Sequence, residues 1–341
     1  MTARIFFRLL QLAGVIIGIA TLNFFLLKSL PGDLVDVIAS ESGSATPEYI
    51  QQLRELYGLD RHLAAQWGSY LLQLAQGDLG FSFRFGEPVL DLIVDRLPAT
   101  VLLVGGALLL SVAGGVLLGV ASARRPHGVT DSLISMLSTI GYSAPMFWVA
   151  LMLIVLFAVK LEWLPAGGWQ DINAGYAGGW QDINAGYAGV DKLRDIAAHL
   201  ALPVLTLTIY YMAVYARLAR ASMIETLSED FIRTARAKGA REGRVIFTHA
   251  LHNAIIPVIT MLGLQSSALL GGSIVVETVF AWPGLGQLSF EAIRNRDIPI
   301  LLGVLLFSSV LVVASNLLVD MAHAWFDPRV RVAGGGRKKR Q

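Results

Sequence analysis

Apolar residues gather into six long runs along this chain, near positions 9–30, 100–121, 133–159, 200–218, 255–276 and 300–321. Crossing the hydrocarbon core of a bilayer takes about 20 residues of helix, so each run predicts one transmembrane helix. Arg4 and Arg8 stand ahead of the first run, as they would in a signal peptide. The run is too long for that and passes into Lys28 and Pro31 without a small-residue cleavage site, which predicts a retained anchor. Lys28 sits at the end of this anchor, where its stem can lie along apolar surface and its ammonium in water.

The polar stretches between the runs are unequal. Residues 31–97 are too many for a simple connector. Within them Thr46 and Pro47 fit an N-cap and first helical residue, and Gly58 closes a short helix through Leu53 and Leu56. A second amphipathic stretch, residues 63–74, ends at Gly77. The prediction is a small helical segment outside the membrane without a core of its own. The second and third runs are joined by a short basic turn, Arg124-Arg125-Pro126-His127-Gly128. Gly105, Gly106, Gly114, Gly115 and Gly119 in the second run allow a neighbouring helix to come close. GWQDINAGYAG occupies residues 168–178 and again 179–189, a single tandem copy that fits a duplication tolerated in an exposed loop. Between the last two runs, Pro283, Gly284 and Gly286 make a tight turn with Phe280, Trp282 and Leu285 around it. Such a segment either dips into the bundle as part of a pathway wall or rests at the headgroup level.

The most basic segment, residues 229–257, separates the fourth run from the fifth. Its first half predicts a helix, with Ser228 as N-cap and Glu229 and Asp230 at the positive end of the helix dipole. Phe231, Ile232 and Ala235 form an apolar face; Arg233, Arg236 and Lys238 are polar, and Gly239 supplies the left-handed residue that ends the helix. A second helical run follows, carrying Val245, Ile246, His249 and His252, until Pro257 opens the next apolar run. Pattern alone leaves two readings of this helix–glycine–helix: a surface pressed against a cytoplasmic partner, or a polybasic loop on lipid headgroups.

Composition agrees with the pattern. Charged residues make up 15% of the 341 residues, against about 25% in soluble domains, so this is an integral membrane protein. Lys and Arg are distributed unevenly: seventeen fall on the side that holds both termini, nine on the other, which places the termini in the cytoplasm. There is no cysteine, hence no disulfide and no thiolate metal site. Asp320 and His323 lie near the end of the sixth run beside Arg329 and Arg331, a position that favours a structural ion pair over a proton relay. His249 and His252 have no HExxH pattern or acid partner and point to packing or interface contact, not a metal. No GxxxxGK[ST] phosphate loop and no GxSxG element occurs, so the chain holds no such ATPase or hydrolase device. A proton- or ion-coupled secondary transporter is the rival reading, disfavoured because no chain of buried acids is visible.

A set of short motifs, individually weak, occurs in a telling order. They are Pro31-Gly32-Asp33, Tyr57-Gly58-Leu59-Asp60, Gly77-Asp78-Leu79-Gly80-Phe81-Ser82, Arg96-Leu97-Pro98-Ala99-Thr100 and Gly141-Tyr142-Ser143-Ala144-Pro145. EDFIRTARAKGA, the turn from Glu277 to Gly286 and Asp327-Pro328-Arg329 complete the series. Together they resemble the membrane subunit of a dipeptide/oligopeptide-type ABC importer, in the binding-protein-dependent permease family. The wider superfamily begins its loop motif Glu-Ala-Ala. Here Arg233 and Thr234 take the first two places while Ala235 and Gly239 keep the register, as in the peptide-type branch.

The resemblance implies an all-α fold of six transmembrane helices, the type I ABC importer permease fold, with the helical extracytoplasmic segment between the first two spans. Its parts would be the anchor 1–30, the outer segment 31–97, a five-span core 98–326 containing the coupling loop 219–254, and a basic tail 327–341. It also implies a place in a bacterial inner membrane and these partners: a homologous second permease, two cytoplasmic ATP-binding subunits, an extracytoplasmic binding protein and membrane lipid, with no nucleic acid. ATP and Mg would belong to the partner subunits and no cofactor to this chain. Coupling would fall to Glu229, Asp230, Ala235, Arg236, Ala237, Lys238, Gly239, Ala240, Arg241 and His249. The outer turn and pathway wall would hold Glu277, Phe280, Trp282, Pro283, Gly284 and Gly286.

Overall fold

The structure is a computed structural model that describes residues 2–29, 51, 61–169 and 190–326. Its helices are α1 (Thr2–Ser29), α2 (Leu63–Ala75), α3 (Val89–Ala123), α4 (Val129–Ser143), α5 (Met146–Lys160) and α6 (Val190–Leu227). They continue with α7 (Asp230–Ala237), α8 (Glu242–Ala254), α9 (Ile256–Val279), α10 (Leu285–Asn295) and α11 (Ile298–Phe326). One element departs from the all-helical expectation. A hairpin pairs β1 (Phe81–Ser82) with β2 (Glu87–Pro88), Phe81 opposite Pro88 and Ser82 opposite Glu87. The predicted motifs at Pro31, Thr46, Pro47, Leu53, Leu56 and Tyr57-Gly58 lie outside the described residues. So do most of the duplicated loop and the tail with Asp327-Pro328-Arg329. Asp320 and His323 are on α11, but their side chains are not among those described.

Three helices are long and apolar enough to cross a membrane alone: Val89–Ala123, Lys192–Leu227 and Ile298–Val319. Two bent pairs add a candidate each, α4 with α5 and α8 with the start of α9. The apolar part of α1 is the shorter Ala13–Ser29. The third apolar run is therefore not one straight rod: α4 and α5 meet at 104°. Pro145 has no N–H for the helix ladder and its ring forces the preceding residue out of helical conformation. Ala144 accordingly is extended, with φ −73° and ψ 130°. α3 begins at Val89, well ahead of the run starting at Thr100, because residues 89–99 continue the helix past Pro98 into polar sequence.

The contacts divide the chain into two compact units, Met1–Val94 with Glu291–Val313, and Asp95–Phe290 with Ala314–Gln341. In the first, the Trp67 indole N–H donates to Thr21 Oγ1 at 3.1 Å, and Phe24 and Tyr70 rings lie 5.8 Å apart, so α2 rests on α1. No residue of α2 is buried, so this helix contributes no core of its own. Asp297 takes the Ser82 hydroxyl at 2.5 Å on one oxygen and the Ile300 N–H at 3.2 Å on the other, capping α11 and fixing the hairpin to it.

In the second unit α6 is the hub, with α4, α5 and α9 packed along it. α3 also lies against α6, and its glycines explain how close. A Cβ on Gly115 would come 2.5 Å from that of Tyr215, and one on Gly119 2.6 Å from that of Ala219. Gly114 meets Met212 in the same way, whereas Gly105 faces open space and is not part of the contact. Without a hydrophobic drive between helices in lipid, such small-residue stripes let dispersion contacts hold a bundle together. Leu103, Leu202, Leu207, Tyr215 and Met223 fill the resulting core with no exposed surface.

Candidate functional site

The basic segment after α6 forms an elbow. α6 ends at Leu227, and Ser228 turns its hydroxyl back to the Glu225 carbonyl at 2.6 Å. Ser228 is thus not the N-cap predicted for the next helix. Glu229 takes that position with an extended backbone and makes no side-chain cap bond, leaving its charge and that of Asp230 at the start of α7. The other end matches the prediction closely. Gly239 has φ +78°, its N–H donates to Arg236 O at 2.9 Å, and Ala240 N–H reaches back to Ala235 O at 3.2 Å. This is the paired closure of a Schellman motif, which demands a left-handed residue at that place.

Burial separates the elbow's inner face from its outer one. Ile232 of α7 and Val245, Ile246 and Ala250 of α8 are buried, while Ala235, Ala240 and His249 are half-buried. Phe231, predicted for the inner face, is turned outward and 43% exposed; Phe247 is 51% exposed. Ala237, Lys238, Gly239 and Arg241 are exposed, and a side chain added at Gly239 or Gly243 would meet no atom within 4 Å. Arg236 forks onto Glu242, with Nη2 donating to Oε1 at 2.7 Å and Nε to Oε2 at 3.3 Å, tying α7 to α8. The guanidinium holds the Glu242 carboxyl below its usual range, chiefly through this hydrogen bond. In α8 the turns widen over Val245–Ala250 to the i→i+5 spacing, a local expansion common at functional places. Phe247 within that stretch has the Arg124 guanidinium 5.9 Å from its ring, so the basic turn between α3 and α4 reaches the elbow.

A buried polar centre that sequence reasoning did not find stands at the base of the elbow. Asp131, 3% exposed at the start of α4, receives Arg220 Nε at 2.5 Å and Nη2 at 2.7 Å. It also receives the Ser122 hydroxyl and the His127 N–H, the latter at 2.8 Å. One carboxylate therefore joins the end of α3, the turn, the start of α4 and α6, ten residues before Asp230. An aspartate in a helix's first turn looks like ordinary dipole compensation, and its arginine lies 89 residues away, so no local signal reveals the pair.

The outer turn is organised around Glu277. Its carboxylate, fully buried, accepts the Thr100 hydroxyl at 2.9 Å, the Gly286 N–H at 2.7 Å and the Gln287 N–H at 3.1 Å. Thr100 in turn takes the Leu285 N–H at 2.8 Å, and the Trp282 indole donates to Ala99 O at 2.9 Å. Gly284 and Gly286 let the chain wrap this carboxylate; a Cβ on the first would collide with it, and one on the second would lie 2.8 Å from Oε2. Phe280 and Trp282 are buried and Pro283 is half-buried. The Trp169 ring lies 4.6 Å from that of Trp282, tilted by 47°, and Gly168 N–H donates to Phe280 O, so the start of the first repeat is anchored here.

Long apolar helices packed around a hub, three of them able to cross a bilayer alone, define an integral membrane protein. The chain belongs to the binding-protein-dependent transport system inner membrane component family, whose profile matches residues 115–332. The family's N-terminal membrane component profile matches residues 1–104. The dipeptide transport system permease protein DppB of Alkalihalophilus pseudofirmus is 39% identical over 327 residues, covering 95% of this chain and 98% of the relative. The oligopeptide transport system permease protein AppB of Bacillus subtilis is 38% identical over 331 residues, 97% of this chain and 99% of the relative. Among solved structures, a chain from the inward facing conformations of the MetNI methionine ABC transporter shares the fold. Its TM-score is 0.51 at 18% identity, over 69% of this chain and 96% of that one.

Proposed function

We propose that this chain is one permease half of an ATP-driven importer of short peptides or similar solutes, in a bacterial inner membrane with both termini in the cytoplasm. In this reading the six apolar runs all span the bilayer, and residues 31–97 lie outside it. A homologous second permease completes the pathway, and two cytoplasmic ATPase subunits hold the ATP and Mg. A binding protein delivers solute to the outer face, where the braced turn from Glu277 to Gly286 backs the pathway wall. The residues from Glu229 to His249 seat in the ATPase subunit, and its ATP-driven closure moves them as a lever.

The observation that carries this reading is the two-sidedness of the elbow. Ile232, Val245 and Ile246 fix it to the subunit while Ala237, Gly239 and Gly243 present bare backbone that another protein can approach closely. A lipid-binding loop would need only its charges, not a glycine-bared surface closed by a defined helix cap. The test is reconstitution of the chain with its co-purifying partners in proteoliposomes. Uptake of dialanine that requires ATP and the binding protein supports the assignment. Uptake by this chain alone, driven by a pH gradient, overturns it.

A further inference from the structure

We infer that one face of α4, together with Tyr210 and Arg217 of α6, lines the water-filled pathway, and that Arg217 is the cation there for the terminal carboxylate of a short peptide. This deepens the importer reading and rests on it. Two independent observations carry it. The first is a polar stripe. Ser132, Ser135, Thr139 and Tyr142 recur at spacings of three, four and three residues on one side of α4, and Ser135 alone of the four is less than exposed. The neighbouring stripe of Leu133, Leu137 and Ile140 is also exposed but wholly apolar, at 50–62%. The side facing α6 contains Gly141, where a Cβ would lie 3.2 Å from Ile209 O. A membrane helix with separate apolar and polar exposed faces can meet lipid with only one of them. Thr139 returns its hydroxyl to Ser135 O, but the side-chain hydroxyls of Ser132 and Ser135 make no hydrogen bond within the subunit among the described residues.

The second observation is an unneutralised cation beside that stripe. Tyr142 stacks on Tyr210 with centroids 5.1 Å apart and planes 22° from parallel, and Arg217 Cζ lies 4.4 Å from the Tyr142 centroid. Arg217 is exposed and has no acidic partner among the described residues, unlike Arg220 less than one turn further on, which is locked to Asp131. Tyr210 is midway along the apolar run of α6, and the stripe ends where α4 breaks at Ala144. Irregular backbone at membrane depth persists where it is buried in protein or lines water, and Ser143 and Pro145 at this break are exposed. A free guanidinium on aromatic faces next to hydroxyl groups suits a carboxylate, which it can grip with two parallel N–H donors while the tyrosines bear on the peptide's apolar parts.

The natural absence of cysteine makes the test direct. In the assembled complex, single cysteines at Ser135 and Thr139 are expected to react with a charged, membrane-impermeant methanethiosulfonate at least ten-fold faster than cysteines at Leu133 and Leu137. Equal rates on the two stripes overturn the lining assignment. Arg217→Cys is expected to lower ATP-driven dialanine uptake at least ten-fold with ATPase co-purification intact. Treatment with 2-aminoethyl methanethiosulfonate, which restores a positive charge, is expected to recover at least half the rate, and the 2-sulfonatoethyl reagent none. Unchanged uptake, or the same response to both reagents, overturns the role of the charge. Arg217→Lys keeps the charge without the two-donor fork and is expected to retain part of the uptake lost in Arg217→Cys; uptake no higher than in Arg217→Cys overturns the role of the charge. A wild-type complex that imports no dialanine defeats the importer reading, while the labelling pattern still decides whether the stripe faces water.

Discussion

The elbow and the outer turn are both glycine-bearing bends between apolar helices, and they use glycine for opposite ends. At the outer turn Gly284 and Gly286 remove side chains so that the chain can close on Glu277 from within the same subunit. Three donors from this subunit meet that carboxylate, and Phe280 and Trp282 beside it are buried. At the elbow Gly239 supplies a backbone angle, and the space above it is empty. The lesson is that a tight, internally satisfied bend is a fixed part, whereas a capped but uncovered bend is a surface waiting for something to be placed on it. Removing a group from the first should cost stability; changing the second should cost coupling.

The sharpest way to break the comparison is at Glu277. Glu277→Ala leaves the Thr100 hydroxyl and the N–H groups of Gly286 and Gln287 without an acceptor. At about 1–3 kcal/mol for each buried unsatisfied group, the expected loss is on the order of 4 kcal/mol, read as a lower denaturation midpoint of the purified protein in detergent. A midpoint within error of wild type would show that the turn is not held from inside. Asp131→Asn comes next. Breaking a buried ion pair by removing one charge costs about 3 kcal/mol, and here the Arg220 fork and the Ser122 and His127 donors all lose strength together.

Gly239→Asp addresses the other side. It puts a side chain at φ +78° and a negative charge among basic residues, a conformational cost of about 1 kcal/mol. Expression and membrane insertion are expected to stay normal while ATPase co-purification and uptake are lost; retention of both would remove the elbow's assigned role. The smallest effect belongs to Glu242→Gln. Because the native carboxyl is held below its usual range by Arg236, its stabilisation is present above that range and fades as pH falls through the lowered value. The pair is exposed, so wild type is expected to exceed the variant slightly near pH 7 and to match it in strong acid. A large difference at pH 7 would mean that the fork is a structural support.

What the sequence reveals follows from the range of each interaction. The left-handed residue at Gly239 is visible because a helix end is a local matter: an apolar and basic stretch, then glycine. The long apolar helices α3, α6 and α11 are visible because lipid imposes composition over about 20 residues. The Pro283-Gly284 bend is visible too, though not the reason for it, since Thr100 meets Glu277 across 177 positions. The break before Pro145 is only half legible: proline inside an apolar run signals a kink, but its size depends on what the neighbours repair. Asp131 with Arg220 and the widened turns of Val245–Ala250 depend on tertiary partners and leave no local trace. The pattern puts Phe231 and Ile232 on one face, yet the two are adjacent and a short helix buries only one of such neighbours, here Ile232.

The sharp angle between α4 and α5 has a bearing on how the protein is made. A straight hydrophobic rod can leave the translocon for lipid unaided, since its own ladder occupies every peptide group. At a hinged pair the ladder is interrupted, as it is at Ala144 and Pro145, and neighbouring helices or water must supply the missing partners. In this subunit the helix that α4 and α5 pack along, α6, is synthesised after both. The surface along which α4 and α5 pack therefore does not exist until α6 has been made, so the bent pair completes its packing only after the fourth apolar run is synthesised.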